Sequence, residues 1–271
     1  PHRMGIGFFN LESGKVVRSQ YEELDVDGQL TQVPQLVGMK KPDLVLLNDN
    51  DLAYAKIRLD EPSRVFAMAN LSKIEDSLAR TLVWTAAWDA TRDAEAPASD
   101  FVQLVLDHIA TEAESTTVLT LLRQLVTTGN LYVAPNKREM MLEKIASGLI
   151  ALTEAAAPGS DNQLQFAKFV PQFARTTAQL DWLESLYTAN KSIPGLELDA
   201  DLRWELLVGL VIGGRIDEAG IAAELERDNT ANGQKFAAAA RAVLPNKDAK
   251  AASWQTLTAT EEYSNTLVNS A

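Results

Sequence analysis

Cysteine is absent from the 271 residues, so no disulfide framework, thiolate nucleophile or thiolate metal site can form. Histidine is nearly absent as well, with only His2 and His108, far apart in the chain. Zinc hydrolysis needs two or three His or carboxylate ligands converging on one ion, and no H-E-x-x-H pair exists to begin such a set. Neither histidine adjoins a G-x-S-x-G nucleophile turn, which removes the common acyl-transfer triad. His108 lies among apolar residues at helical spacing, where a packed histidine is expected rather than a ligand. Long apolar runs are also missing: none approaches the roughly 18 residues of a membrane helix, and no basic-then-apolar signal region opens the chain. Positive charge is in deficit. Lys and Arg number 25 against 37 Asp and Glu, a formal charge of -12, and the pI is about 4.7. Nucleic acid or an anionic membrane would call for clustered cations, so neither is expected as a partner. The lack of cysteine fits a cytoplasmic protein.

Phosphate and calcium motifs fall short in the same way. Gly5-Ile6-Gly7 supplies two glycines without a third, inside a run that reads as a strand. Asn48-Asp49-Asn50-Asp51 resembles part of a calcium loop but lacks its mid-loop glycine and distal glutamate, so a hairpin turn is expected there. The carboxylates of Glu22-Glu23 and Glu261-Glu262 are adjacent in sequence, so each pair is expected to point apart and face solvent.

What the chain does have is 46% hydrophobic residues, enough for a sizeable core. From Arg3 to about Arg58 the hydrophobic period is 2. The runs IGFFNL, KVVRSQYEEL, LTQVPQLV and the two halves of LVLLNDNDLAYAKIRL predict about five strands of a small antiparallel sandwich. Ser13-Gly14 and Asp27-Gly28 supply turn signals between them. Beyond Pro62 the period becomes helical, and ten to twelve short helices follow. Ser63, Ser72, Ser99 or Asp100, Ser115 and Asp161 are candidate helix starts; Gly129-Asn130, Pro158-Gly159 and Pro194-Gly195 are candidate stops. The stretch Asp201 to Trp254 is the clearest. An apolar helix ends at Gly213-Gly214, and Asp217, Thr230 and Asn246 each open another. Thr258 with Glu261 resembles a capping box ahead of Tyr263, Leu267 and Val268. Helices this short must stack to bury their faces. The expected architecture is mainly α: an α-solenoid of the HEAT or armadillo kind over 62–271, cut short at its C-terminus, preceded by a small β-sandwich over 1–61.

Two arginines stand out as possible chamber-facing or interdomain residues. Trp84 and Trp88 share one helix face and are followed by Asp89 and Arg92; Arg203 sits beside Trp204 at the start of an apolar helix. The plainer reading of both is aromatic packing with a surface ion pair, or an arginine anchoring a loop. No catalytic, cofactor-binding or metal-binding residue is assigned.

The run PDLVLLNDNDLAYAKIRLD (Pro42 to Asp60) resembles the last strands of the small β domain in zinc aminopeptidases of the aminopeptidase N family. DLRWELLVGLVIGGRIDEAGIAAELERDNTANGQKFAAAARAVLPNKDAKAASW resembles the C-terminal helical domain of the actinobacterial branch. LARTLVWTAAWDATRDAE and PGSDNQLQFAKF fit the same branch. The resemblance implies a four-domain parent enzyme that removes N-terminal amino acids from peptides, of which this chain matches the last two domains. The family's zinc motif and its G-x-M-E-N motif have no counterpart here, so zinc belongs to the parent and no cofactor to this chain. The implied role is non-catalytic: the helical domain caps the catalytic domain of the same polypeptide and shapes the peptide-access chamber. A stand-alone helical-repeat scaffold that binds another protein is the alternative.

Overall fold

The computed structural model describes residues 1–259 together with Val268. Among these residues are eleven α-helices and one three-stranded antiparallel sheet. The chain divides into two compact units, Pro1–Glu112 and Ala113–Ala271. No helix among the described residues is long and apolar enough to cross a membrane.

The first unit opens with β1 (His2–Glu12) and β2 (Lys15–Val26), paired in register from Glu12↔Lys15 to His2↔Val26 with one shift at Phe8/Phe9. Ser13 and Gly14 join them with φ of 50° and 85°, the double positive φ of a tight hairpin turn. β3 (Leu44–Leu47) pairs with the other edge of β1, giving the order β2-β1-β3. The five-strand sandwich is therefore corrected to a single three-stranded sheet, for identifiable reasons. Pro34, which has no N–H to donate, sits in a single 3₁₀ turn, Pro34–Leu36, where a strand was expected. The stretch from Leu52 to Leu59 fails to return to the sheet because the Asn48 side chain takes the place of a neighbouring strand. It donates to Ala53 O at 2.7 Å and accepts from Ala53 N at 2.9 Å. The outer edge of β3 is also occupied, since Val45 N donates to Ser63 Oγ at 3.0 Å.

The Gly5-Ile6-Gly7 pair has a packing role. A Cβ at Gly7 would run into the Asp49 carboxylate, and one at Gly5 into Asp49 O and the Tyr21 ring. Asp49 is 1% exposed and accepts from Arg18 Nη1 at 2.9 Å. Three helices complete the unit: α1 (Glu61–Asn70), α2 (Ser77–Arg92) and α3 (Ala98–His108). Their caps differ from the serines expected. Asp60 accepts from Ser63 N and Asp76 from Leu78 and Ala79 N, while α3 starts after Pro97 without a side-chain cap. Carboxylates outcompete hydroxyls here, and each adds a favourable charge at the positive helix end.

The second unit contains α4 (Ser115–Thr127), α5 (Arg138–Ala155), α6 (Asp161–Phe173), α7 (Thr177–Tyr187), α8 (Ala200–Ile212), α9 (Glu218–Arg227), α10 (Ala231–Ala242) and α11 (Lys247–Ala259). Gly129-Asn130 does not stop α4; the chain runs on through a π-helical turn, Thr128–Tyr132. Asp217 and Thr230 cap α9 and α10 as expected, and Asn246 accepts from Ala249 N at the start of α11. Thr258 lies within α11, its hydroxyl donating to Trp254 O. Glu261, Tyr263 and Leu267 lie outside the described residues. Within this unit α6 packs on α4, α5 and α8, and α8 in turn on α7 and α10. Close approach of α6 and α8 is possible because Gly209 faces Pro171, where a Cβ would lie 2.6 Å from Pro171 Cβ. A core of Trp204, Leu207, Val211, Ile221, Ala237 and Ala240 joins α8, α9 and α10, with Phe236 stacked on Trp204 at 6.0 Å.

The two Pro-Gly stops meet each other. Gly195 has φ 79°, and a Cβ there would fall on Gly159 N. Gln163, 1% exposed, accepts from Gly159 N at 2.9 Å and donates to Pro194 O at 3.1 Å, so one side chain joins both turns.

Candidate functional site

In the first unit α1, α2 and α3 enclose a groove of about 250 Å³. Alanines at 86, 87 and 90 keep the α2 side shallow, and Met68, Phe101 and Leu104 make the remaining wall apolar. The rim is ionic. Arg64 pairs with Glu61 at 2.9 Å on its own helix and with Asp100 of α3 at 3.2 Å. Arg58 pairs with Glu95 and, at 2.6 Å, with Asp93.

Arg92 belongs to the same charged network, at the end of α2. Its Nη2 donates to Asp89 at 2.9 Å and its Nε lies 3.7 Å from Asp93. Asp93 also receives Lys56 at 2.7 Å, so the irregular stretch before α1 is tied to the α2 terminus. The Lys56 hydrogen bond, helped by Arg58, holds the Asp93 carboxyl below its ordinary range. Trp84 and Trp88 take the packing role. Trp84 is 3% exposed and donates to Glu112, which also accepts from Arg80 at 3.1 Å; Trp88 lies against Phe101 at 5.4 Å.

Arg203 belongs to the second unit and is consumed by a different cluster. Its Nε and Nη2 donate to the two oxygens of Glu224 at 2.9 and 2.7 Å, a fork-on-fork pair joining α8 to α9. Its Nη1 donates to Tyr187 O at 3.1 Å, and the guanidinium stacks 4.6 Å from the Tyr187 ring. Tyr187 OH donates to Glu224 at 2.8 Å. Burial pushes Glu224 upward, but the hydrogen bonds from Arg203 and Tyr187 and the guanidinium charge outweigh it and leave the carboxyl lowered. Burial, together with the Glu224 hydrogen bond, pushes the Tyr187 phenol up to about 12. Arg203 is 15% exposed and Glu224 4%, so the pair is an internal tie of the helical unit.

Glu205, which drew no attention in the sequence, is chemically the least ordinary carboxyl. Burial raises it to about 7; Lys168 on α6 opposes the rise and Asp201 reinforces it. A lone acid inside the apolar run LRWELLVGL was the available signal.

His108 is not placed to take a zinc ion. His108 is 7% exposed and both its ring nitrogens are taken: Nδ1 accepts from Ser72 N at 3.3 Å and Nε2 donates to Met68 O at 2.8 Å. Among the described residues no three His, Asp or Glu side chains are grouped to hold a metal ion. Among the described residues the geometry therefore offers a groove, two arginine clusters and a carboxyl raised by burial.

Residues 44–271 match the family described as the ERAP1-like C-terminal domain. Aminopeptidase N of Streptomyces lividans is 44% identical over 266 residues, covering 98% of this chain and 31% of the relative. The chain thus spans about a third of that relative's length. The family match takes in β3 and every α-helix named above, and the chain therefore belongs to the ERAP1-like C-terminal domain family.

Proposed function

We propose that this chain is the non-catalytic C-terminal portion of a zinc metallo-aminopeptidase, and that it caps the catalytic domain of the same polypeptide and shapes the chamber through which peptides reach the zinc. The observation that carries the proposal is the 44% identity to Aminopeptidase N across 98% of the chain. In this reading zinc and its ligands are supplied by the rest of the polypeptide, which removes N-terminal residues from peptides. Within the second unit α6 packs on α4 and α8, and α8 on α10, with α5, α7, α9 and α11 against them, which supports the solenoid reading of 62–271 over that part. The β layer over 1–61 then acts as the connection to the catalytic part. A cytoplasmic setting is in keeping with the absent cysteine. The family match favours this role over a stand-alone scaffold.

The test is a comparison of the 271-residue chain with the full-length enzyme on an aminoacyl amide. The full-length enzyme is expected to hydrolyse it and the chain alone to be inert, without stoichiometric zinc. Hydrolysis by the chain alone overturns the non-catalytic assignment. For the chamber role, Arg92→Ala in the full-length enzyme is expected to raise the KM for long peptides while leaving that for the amide unchanged. Equal changes on both substrates, or none, count against it.

A further inference from the structure

Only two dipeptides in the chain carry the sequence most prone to succinimide chemistry, Asp27-Gly28 and Asn232-Gly233. In an unfolded chain the order of reactivity is fixed by the leaving group. An asparagine amide closes onto the next backbone nitrogen faster than an aspartate, whose carboxyl must first be protonated. Glycine favours both because it puts no side chain in the way and reaches the backbone angles the ring requires.

The structure places the two pairs in opposite situations. Asp27-Gly28 follows the end of β2 in an exposed turn, and the Asp27 side chain is 81% exposed. Gly28 has φ 67°, with nothing within 4 Å of where a Cβ would stand. Its nitrogen already faces the acid, donating to Asp27 Oδ1 at 2.9 Å. Thr31 Oγ1 fixes the backbone from the other side, accepting from Asp27 N at 3.0 Å and donating to Asp27 O at 3.1 Å.

Asn232-Gly233 is held in the first turn of α10. Gly233 is buried, and a Cβ there would run into Asp228 O. Its nitrogen is committed to the cap, donating to Thr230 Oγ1 at 3.1 Å. The Asn232 amide is drawn away, donating to Asp201 at 3.1 Å. Ring closure there would require the first turn of the helix to open.

We propose that Asp27 is a site of spontaneous isoaspartate formation, and that the fold inverts the intrinsic order by exposing Asp27-Gly28 and protecting Asn232-Gly233. The Gly28 nitrogen attacks Cγ of the protonated Asp27 carboxyl. The N–H proton and the carboxyl hydroxyl leave as water, and the new N–Cγ bond closes a succinimide. Water then adds to one of the two ring carbonyls. Cleavage of the N–Cγ bond restores aspartate. Cleavage on the other side leaves the main chain running through Cγ, with the old backbone carbonyl released as a free carboxylate. The product presents an isoaspartyl carboxylate, the substrate class of carboxyl methyltransferases that use S-adenosylmethionine.

The experiment is to age the 271-residue chain in heavy-oxygen water, folded and in denaturant, and to map its proteolytic peptides by mass. In the folded chain the Asp27 peptide is expected to gain heavy oxygen and to become a methyl acceptor for isoaspartyl methyltransferase, while the Asn232 peptide keeps its amide. In denaturant the order is expected to reverse, with Asn232 deamidating first. Asp27→Glu is expected to abolish both signals at position 27, because the longer side chain closes a larger and less accessible ring. Deamidation of Asn232 ahead of labelling at Asp27 in the folded chain overturns the proposal. Labelling at neither site overturns it equally, as does methylation that persists at position 27 in Asp27→Glu.

Discussion

Replacing Arg203 with alanine leaves the Glu224 carboxylate 4% exposed and without its fork-on-fork partner. Breaking a buried ion pair from one side costs about 3–5 kcal/mol, because the surviving charge stays desolvated. Tyr187 still donates to Glu224, so the lower end of that range is the expected value, about 3 kcal/mol. For a unit of this size each kcal/mol moves the midpoint by roughly 2–4 °C, giving a fall in Tm of about 6–12 °C. The sign with pH follows from the carboxyl. In the native protein Glu224 is lowered, so its contribution is present above the ordinary glutamate range and is lost as pH falls through the folded value. Without Arg203 the burial that already opposes ionisation dominates, and the variant instead incurs a penalty that grows as pH rises. The difference in Tm between the two proteins should therefore widen from about pH 4 to about pH 7. Thermal unfolding followed by circular dichroism reads this directly. Arg203→Ala/Glu224→Ala should recover much of the loss, since no charge is then stranded. A fall in Tm no smaller in the double variant, or an unchanged Tm with an altered peptide KM in the full-length enzyme, would refute the reasoning and return Arg203 to the substrate chamber.

Two other changes test the fold from different directions. Glu205 is held at about 7 against an ordinary 4.5, which costs the folded ionised form on the order of 3 kcal/mol. A raised carboxyl is without penalty below its unfolded value and carries the full penalty above its folded one. Glu205→Gln should accordingly raise Tm above about pH 8 and have little effect below about pH 4; a gain independent of pH would point to packing instead. Gly7→Ala forces a methyl against the Asp49 carboxylate, so a loss of about 1–3 kcal/mol in denaturant unfolding is expected, with an unchanged Tm as the contrary result.

Much of the helical unit was legible because its signals are local. Asp217, Thr230 and Asn246 each sit one residue ahead of the helix they open, and Gly213-Gly214 follows directly on α8. The β1–β2 hairpin was legible for the same reason, its turn residues lying between two alternating runs. The fourth expected strand, LVLL, forms as β3; the third and fifth do not, because what decides them is distant. Alternation in LAYAKIRL is real, yet Asn48 occupies Ala53 and Ser63 occupies the edge of β3, and neither contact has a period. The arginines show the same division. Arg92 and Arg203 stood out by their apolar neighbours; that Arg203 is claimed by Glu224, 21 residues on, could not be read. Glu205 stood out only as a lone acid in the apolar run of α8; how far tertiary packing buries it, which is what raises it, has no signal in that run.

The meeting of Pro158-Gly159 with Pro194-Gly195 has a consequence for how this chain tolerates change. Surface turns between helices ordinarily accept insertions and grafts. These two cannot vary separately, since backbone touches backbone at Gly195 and Gln163 spans both. An inserted residue in either turn would unseat the other, and the two helical hairpins α5–α6 and α7–α8 would lose their common pivot. Any length polymorphism in relatives should be paired across the two turns or directed elsewhere, making this junction a fixed reference point about which the rest of the helical stack can drift.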